Sequence, residues 1–207
     1  YDGTTAIPGV GLTAVGVHSE SFTVTGVGDA SNLASPNVQS GSTLSSVTGL
    51  TVGASIGANA GLASNYNSLV TTASLVSVGR ATATLTANKI YDASLGLSGS
   101  QLQITGVTVG GVNQTLGYTG TASIYDVNVA TANNYVATGT LSLTNGTGLA
   151  SNYVMPAYAY GAHNTASVSP ATVSISAVKT YDGTPSLSAG QVTITGVGGQ
   201  TLGYAGT

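Results

Sequence analysis

The stretch Val173-Ser174-Ile175-Ser176-Ala177-Val178-Lys179-Thr180-Tyr181-Asp182-Gly183-Thr184 alternates apolar or small residues with hydroxyls, then breaks at Asp-Gly. A period of two sends successive side chains to opposite faces, which is the pattern of a half-buried β-strand, and Asp-Gly supplies a turn. The closing tetrapeptide recurs. Tyr181-Asp182-Gly183-Thr184 echoes Tyr91-Asp92-Ala93-Ser94 and Tyr1-Asp2-Gly3-Thr4, 90 residues apart each time. Lys179 and Lys89 precede their tyrosines at the same distance, and Gly16-Val17, Gly106-Val107 and Gly196-Val197 keep the same offset. Gly61-Leu62-Ala63-Ser64-Asn65-Tyr66 returns unchanged as Gly148-Leu149-Ala150-Ser151-Asn152-Tyr153, and Gln114-Thr115-Leu116-Gly117-Tyr118 as Gln200-Thr201-Leu202-Gly203-Tyr204. Self-similarity at a fixed period marks a tandem array.

Composition narrows what the array can be. Charged residues are 4% of the 207, against about 25% in an ordinary soluble domain. Three Lys plus Arg leave no basic groove for nucleic acid. Without cysteine there is neither a disulfide framework nor a Cys-based zinc site. Glu20 is the only glutamate, too few for a coiled coil or helical bundle. Long charge-free stretches, such as that between Asp126 and Lys179, are studded with Gly, Ser, Thr and Asn, so no membrane-spanning helix is expected in this segment. A hydrophobic fraction of 42% and a mean hydropathy of +0.30 argue against disorder. The chain opens on Tyr1-Asp2 and is read as a segment of a longer protein.

Other alternating runs, Gln191-Val192-Thr193-Ile194-Thr195 and Ala81-Thr82-Ala83-Thr84-Leu85-Thr86, also read as strands, with Gly-Val, Asn145-Gly146 and Asp182-Gly183 as turns. The expected fold class is all-β, as tandem Ig-like β-sandwich modules of about 90 residues in an elongated array. The alternative is a β-grasp-like module, which needs one amphipathic helix; only residues 58–69 could supply it, and their Gly and Asn content argues against it. Residues 1–79 form a first repeat lacking its opening strand, 80–169 a complete second repeat, and 170–207 the truncated start of a third.

With Lys-x-Tyr-Asp-Gly, then Gly-Val, then Ser-Asn-Tyr in that order, the chain resembles the YDG-type and related MBG-type repeats of bacterial surface proteins. These repeats occur in filamentous-haemagglutinin-like exoproteins and adhesins. The best-matching segments are Lys89-Ile90-Tyr91-Asp92, Lys179-Thr180-Tyr181-Asp182-Gly183, Ser64-Asn65-Tyr66 and Ser151-Asn152-Tyr153. Ala93 departs from the family's Gly, so a different turn is expected there. The resemblance implies a secreted, extracellular or cell-surface module, not a catalytic one.

The candidate residues are therefore structural: Tyr1, Asp2, Lys89, Tyr91, Asp92, Lys179, Tyr181 and Asp182 at the repeated corner, with Asn65, Tyr66, Asn152 and Tyr153 near the repeat ends; the motif tyrosines Tyr66, Tyr91, Tyr153 and Tyr181 are expected as core pegs with the hydroxyl at the rim. In a strand, Lys and the Tyr two residues on share a face, and the Asp can bond amides of the turn. A sharper reading joins Lys89 or Lys179 to Asn65 or Asn152 by an isopeptide bond, chemistry that also needs a nearby carboxylate. Tyr153, Tyr158 and Tyr160 form a possible ligand patch. His18 and His163 occupy non-equivalent repeat positions, so no triad is expected. Six dispersed acids, among them Asp29 and Asp126, make a poor calcium site. Gly26-Val27-Gly28 has no helix following it to bind phosphate. No catalytic, cofactor-binding or metal residue is assigned. The expected function is an extracellular structural repeat of a bacterial surface fibre or stalk, assembling end to end or by strand addition, whose partners are identical or neighbouring repeats or subunits. The alternative is an adhesin module binding glycan or cell-surface protein through Tyr- and Asn-rich loops.

Overall fold

A computed structural model describes residues 1–129 and 131–204. Residue 130 and the last three residues of the third repeat, 205–207, therefore lie outside the described residues. The chain is all-β: short strands are joined by turns and six single-turn 3-10 segments, and no α-helix occurs among the described residues. Residues 58–69, which a β-grasp would need as a helix, carry only the 3-10 turn Ala63–Asn65.

Packing groups the chain into two compact units, each drawing on more than one repeat. Unit 1 comprises Tyr1–Thr82, Gly106–Thr115 and Gly146–Val154. Its antiparallel sheet runs Thr13–Val15, Ser21–Thr25, Thr51–Ile56 and buries Phe22 and Val24, with Leu33, Leu50 and Tyr153 also buried in the unit. Gln39–Ser42 pairs antiparallel with Val76–Val78, and Ala81–Thr82 pairs parallel with Tyr153–Val154.

Unit 2 comprises Ala83–Thr105, Leu116–Asn145 and Met155–Thr207. It is built on a sheet ordered Ser142–Thr144, Val112–Thr119, Leu102–Val109, Thr84–Ile90, Asn164–Ser169. Thr84–Ile90 keeps the expected alternation, threonines outward and Leu85, Ala87 and Lys89 buried. One edge of this strand pairs antiparallel with Leu102–Val109 and the other parallel with Asn164–Ser169. A second sheet, Gly96–Leu97, Ala122–Ile124, Val136–Gly139, adds the buried Ile124 and Val136. The run quoted first forms the strand Ser174–Ala177, in a sheet with Val192–Thr195 and Thr201–Leu202, but every residue of it is exposed.

Two turn expectations need correction. Gly-Val marks a turn at Gly16-Val17 and Gly196-Val197, but Gly106-Val107 lies inside the strand Leu102–Val109. That hairpin is longer and turns instead at Gly110-Gly111, both with positive φ. The turn at Ala93 is the same as in its sister repeats: Ala93 has φ 62°, where Gly3 and Gly183 have 79° and 75°. The left-handed region disfavours a residue with a Cβ, so the second repeat keeps the geometry at the cost of strain.

Candidate functional site

The Lys-x-Tyr-Asp corner is built the same way twice. The Lys89 ammonium, whose side chain is 1% exposed, pairs with Asp92 at 2.9 Å. It also donates to Ser94 O at 2.9 Å, Ser94 Oγ at 3.1 Å and Gly96 O at 2.8 Å. Lys179 pairs with Asp182 at 2.7 Å and donates to Thr184 O, Thr184 Oγ1 and Ser186 O at 2.7, 2.8 and 2.5 Å. Both aspartates also accept the backbone N–H and the hydroxyl of the residue two positions on, each at 2.9 Å. A buried ammonium thus finds a carboxylate, two carbonyls and a hydroxyl, as burial of a charge demands. The Lys89 hydrogen bond, then the Ser94 N–H, hold the Asp92 carboxyl down at about 2, and Lys179 lowers Asp182 in the same way. Asp2 makes the same turn, accepting the Thr4 N–H and hydroxyl at 2.9 Å each.

The Ser-Asn-Tyr pegs explain the Gly-Val motif. Tyr66 Oη accepts the Val17 N–H at 2.8 Å, and Tyr153 Oη accepts the Val107 N–H at 3.1 Å. The rings lie so close over Gly16 and Gly106 that a Cβ at either position would collide with the phenol. The hydroxyls pass their protons on, Tyr66 to Glu20 Oε2 and Tyr153 to Gln114 Oε1 at 2.5 Å. Glu20, Gln114 and Gln200 therefore occupy one repeat position, each followed by a hydroxyl and an apolar residue. The bond to Glu20 raises the Tyr66 pKa, whereas burial is the main cause raising that of Tyr153.

The first tyrosine of the first and of the second repeat reaches this Glx position of the repeat that follows. Tyr1 Oη donates to Gln114 Oε1 at 3.2 Å, and its ring meets that of Tyr153 edge-on at 5.5 Å. Tyr91 Oη accepts from Gln200 Nε2 at 3.2 Å. Tyr181, the third member, is 94% exposed. The buried Asn152 likewise links repeats, donating to Asn37 Oδ1 at 2.8 Å and accepting the Val38 N–H at 3.0 Å. Its counterpart Asn65 is exposed.

Sequence reasoning missed the buried asparagines Asn32, Asn134 and Asn164. Asn164 accepts the Val136 N–H at 2.9 Å and donates to Val136 O and Ala157 O, standing in for a neighbouring strand. Asn32 does the same in unit 1 for Ile7, Asp29, Ser46 and Thr48. The recurrence of Asp-x-Ser and Asp-x-Asn at Asp29 and Asp126, each with a later Asn, was the available signal. Both aspartates accept local N–H groups, which lowers their pKa values.

The tyrosine patch is corrected. Tyr153 is 2% exposed, its hydroxyl committed to Val107 and Gln114, so it offers a ligand no surface. Tyr160 is exposed and Tyr158 half-buried. Tyr125, 59% exposed, stacks on Tyr135 with centroids 5.0 Å apart. Neither Lys89 nor Lys179 has an asparagine amide among its partners, so nothing in these contacts supports the isopeptide reading. His18 and His163 are exposed, and no group of three metal-ligating side chains occurs among the described residues. Among those residues no helix is long and apolar enough to cross a membrane.

These features define an all-β chain whose position-repeated residues hold backbone to backbone. Comparison with protein-family models, with curated proteins and with solved structures finds no match to the chain.

Proposed function

We propose that the chain is a structural repeat segment of a bacterial surface fibre or stalk, its repeats joined in series. The observation that carries this reading is the bond between the first tyrosine of one repeat and the Glx position of the next, made by Tyr1 with Gln114 and again by Tyr91 with Gln200. A contact that recurs at one repeat step can be continued indefinitely, which is the property of a head-to-tail interface. The exposed Tyr181 is the next tyrosine in that series. Each repeat is read as a small Ig-like sandwich, a reading supported by the two sheets of unit 2 that share Leu85, Ile104, Ile124 and Val136 among their buried residues. Resemblance to YDG- and MBG-type repeats supports an extracellular, non-enzymatic role. The test is small-angle scattering on chains carrying one, two and four added repeats. The maximum dimension should rise by a constant increment per repeat; growth as the cube root of mass would overturn the reading.

A second reading, adhesion, is favoured by the exposed Tyr125–Tyr135 stack, since stacked tyrosines with a free face suit glycan or protein recognition. Binding on a glycan array that is lost in Tyr125→Ala would support it.

A further inference from the structure

In the second repeat the strand Thr84–Ile90 lies against Leu102–Val109, with Leu85 opposite Ile104 and Ala87 opposite Leu102. The equivalent edge of the first repeat is Thr13–Val15, an edge strand whose only sheet neighbour is Ser21–Thr25. Beside it lies a groove of about 630 Å³, lined by Leu12, Ala14, Phe22, Leu44, Leu69 and Leu75 among others. Leu12 and Ala14 are half-buried there, whereas their counterparts Leu102 and Ile104 are covered. The groove's far side is set as well. Tyr91 N–H donates to Ser169 O at 2.8 Å, and the Tyr1 α-ammonium donates to Gly79 O at 2.7 Å, at the equivalent position one repeat earlier.

A cation cradle completes the match. Lys89 is held by Asp92, Ser94 O, Ser94 Oγ and Gly96 O. Asp2, Thr4 and Ala6 occupy those positions in the first repeat, with Thr4 already folded onto Asp2, and Asp2 has no ion pair among the described residues. Apolar floor, free strand edge, fixed exit at Tyr1 and anionic end are the four features that receive Thr84–Ile90 in its own repeat.

We propose that this groove is an acceptor site for a repeat-opening strand of the kind seen at residues 80–90, running directly into Tyr1 in the same polypeptide. It would pair with Thr13–Val15 on one side and with residues 75–79 on the other. Its inward Leu would fill the groove and its Lys would close on Asp2. Added backbone pairing and alternate side-chain docking are how a strand completes an open sheet. The inference rests on the array reading above.

The test fuses a second copy of residues 80–90 ahead of Tyr1. The fused chain should stay monomeric and melt at least about 5 °C higher. Amides of Thr13–Val15 should exchange at least ten-fold more slowly. Replacing the fused leucine by Asp should abolish the gain, and replacing the fused lysine by Met should remove about half of it. The same eleven residues supplied as a free peptide should give the same protection at saturation. Unchanged exchange at Thr13–Val15 in both forms would overturn the proposal. So would protection of these amides by a second copy of the chain that the fused strand does not displace. If the fusion fails while chains with added repeats still lengthen by constant increments, only the acceptor site falls and the array reading stands.

Discussion

Replacing Lys89 by Met keeps most of the apolar stem and removes the ammonium, which isolates what the charge contributes at the corner. The lost partners are two carbonyls, a hydroxyl and the Asp92 carboxylate, all within 3.1 Å. Breaking one partner out of a buried ion pair costs about 3–5 kcal/mol. The Asp92 side chain is 46% exposed and regains water, which places the cost near the lower end, about 3 kcal/mol. For a chain of this length that corresponds to a fall in melting temperature of about 9 °C. Urea and thermal unfolding followed by circular dichroism measure it. Lys179→Met is the internal comparison, with the same bonds beside the strand Ser174–Ala177, which is exposed throughout. There the loss should stay local, with less than about 0.5 kcal/mol in global stability but faster amide exchange at Thr184. A Lys89→Met protein within about 0.5 kcal/mol of wild type, or equal effects at the two lysines, would refute the argument that burial makes the corner matter.

Gly106→Ala and Gly16→Ala should each cost about 2 kcal/mol or more, because the new methyl meets the phenol of Tyr153 or Tyr66; Gly99→Ala, with open space around it, should be neutral by the same unfolding assay. Ala93→Gly, and Gly at His18 or Ser19 (φ 52° and 60°), should each raise stability by about 0.5–1 kcal/mol by relieving left-handed strain; a destabilised variant would show that the side chain makes a contact worth more than the strain. Melting temperature should be flat from about pH 5 to 9 and fall on either side. The Asp92 carboxyl is lowered, so its contribution is complete above the ordinary carboxylate pKa of about 3.9 and is lost as pH falls through about 2. The shift corresponds to at most about 2.5 kcal/mol, reduced to about 1 by solvent screening of the half-exposed carboxylate, and Asp29, Asp126 and Asp182 act in the same direction. Tyr66 and Tyr153 are raised, so stability is lost again above about pH 10; a steep slope between 5 and 9 would mean an unrecognised coupled group.

What was legible in the sequence follows from what each residue does. Period-two alternation is a local property, so the strands at Thr84–Ile90 and Val192–Thr195 could be read directly. The Lys-x-Tyr-Asp corner closes within seven residues of the lysine, so the aspartate turn could be read locally, but each lysine pairs with that aspartate and not with the tyrosine ring two residues on. Burial was not legible. Residues 173–178 alternate as well as 81–86, yet one segment is open and the other covered, because covering depends on a parallel partner about 80 residues away. Tyr66 and Tyr153 were legible as pegs, but their targets were not, and Tyr181, whose motif reads the same way, is 94% exposed. A hydroxyl seeking one N–H leaves its mark only in the glycine beneath the ring, and that glycine reads as a turn until the ring is placed. Buried asparagines were the least visible, since an amide that replaces a strand looks in sequence like any loop Asn.

The same economy explains how so few charges suffice. Among the described residues the two ion pairs are two copies of one corner, and every buried side-chain nitrogen and oxygen has a partner. The remaining buried polar work is done by neutral groups: Asn32, Asn134, Asn152 and Asn164 bonding backbone, and Tyr153 bonding the Val107 N–H and the Gln114 side chain. Neutral hydrogen bonds need no counter-charge and are not screened by salt, so they can be copied from repeat to repeat without accumulating net charge. A repeat whose joints are an aromatic hydroxyl and an amide can therefore be added without changing the electrostatics of its neighbours.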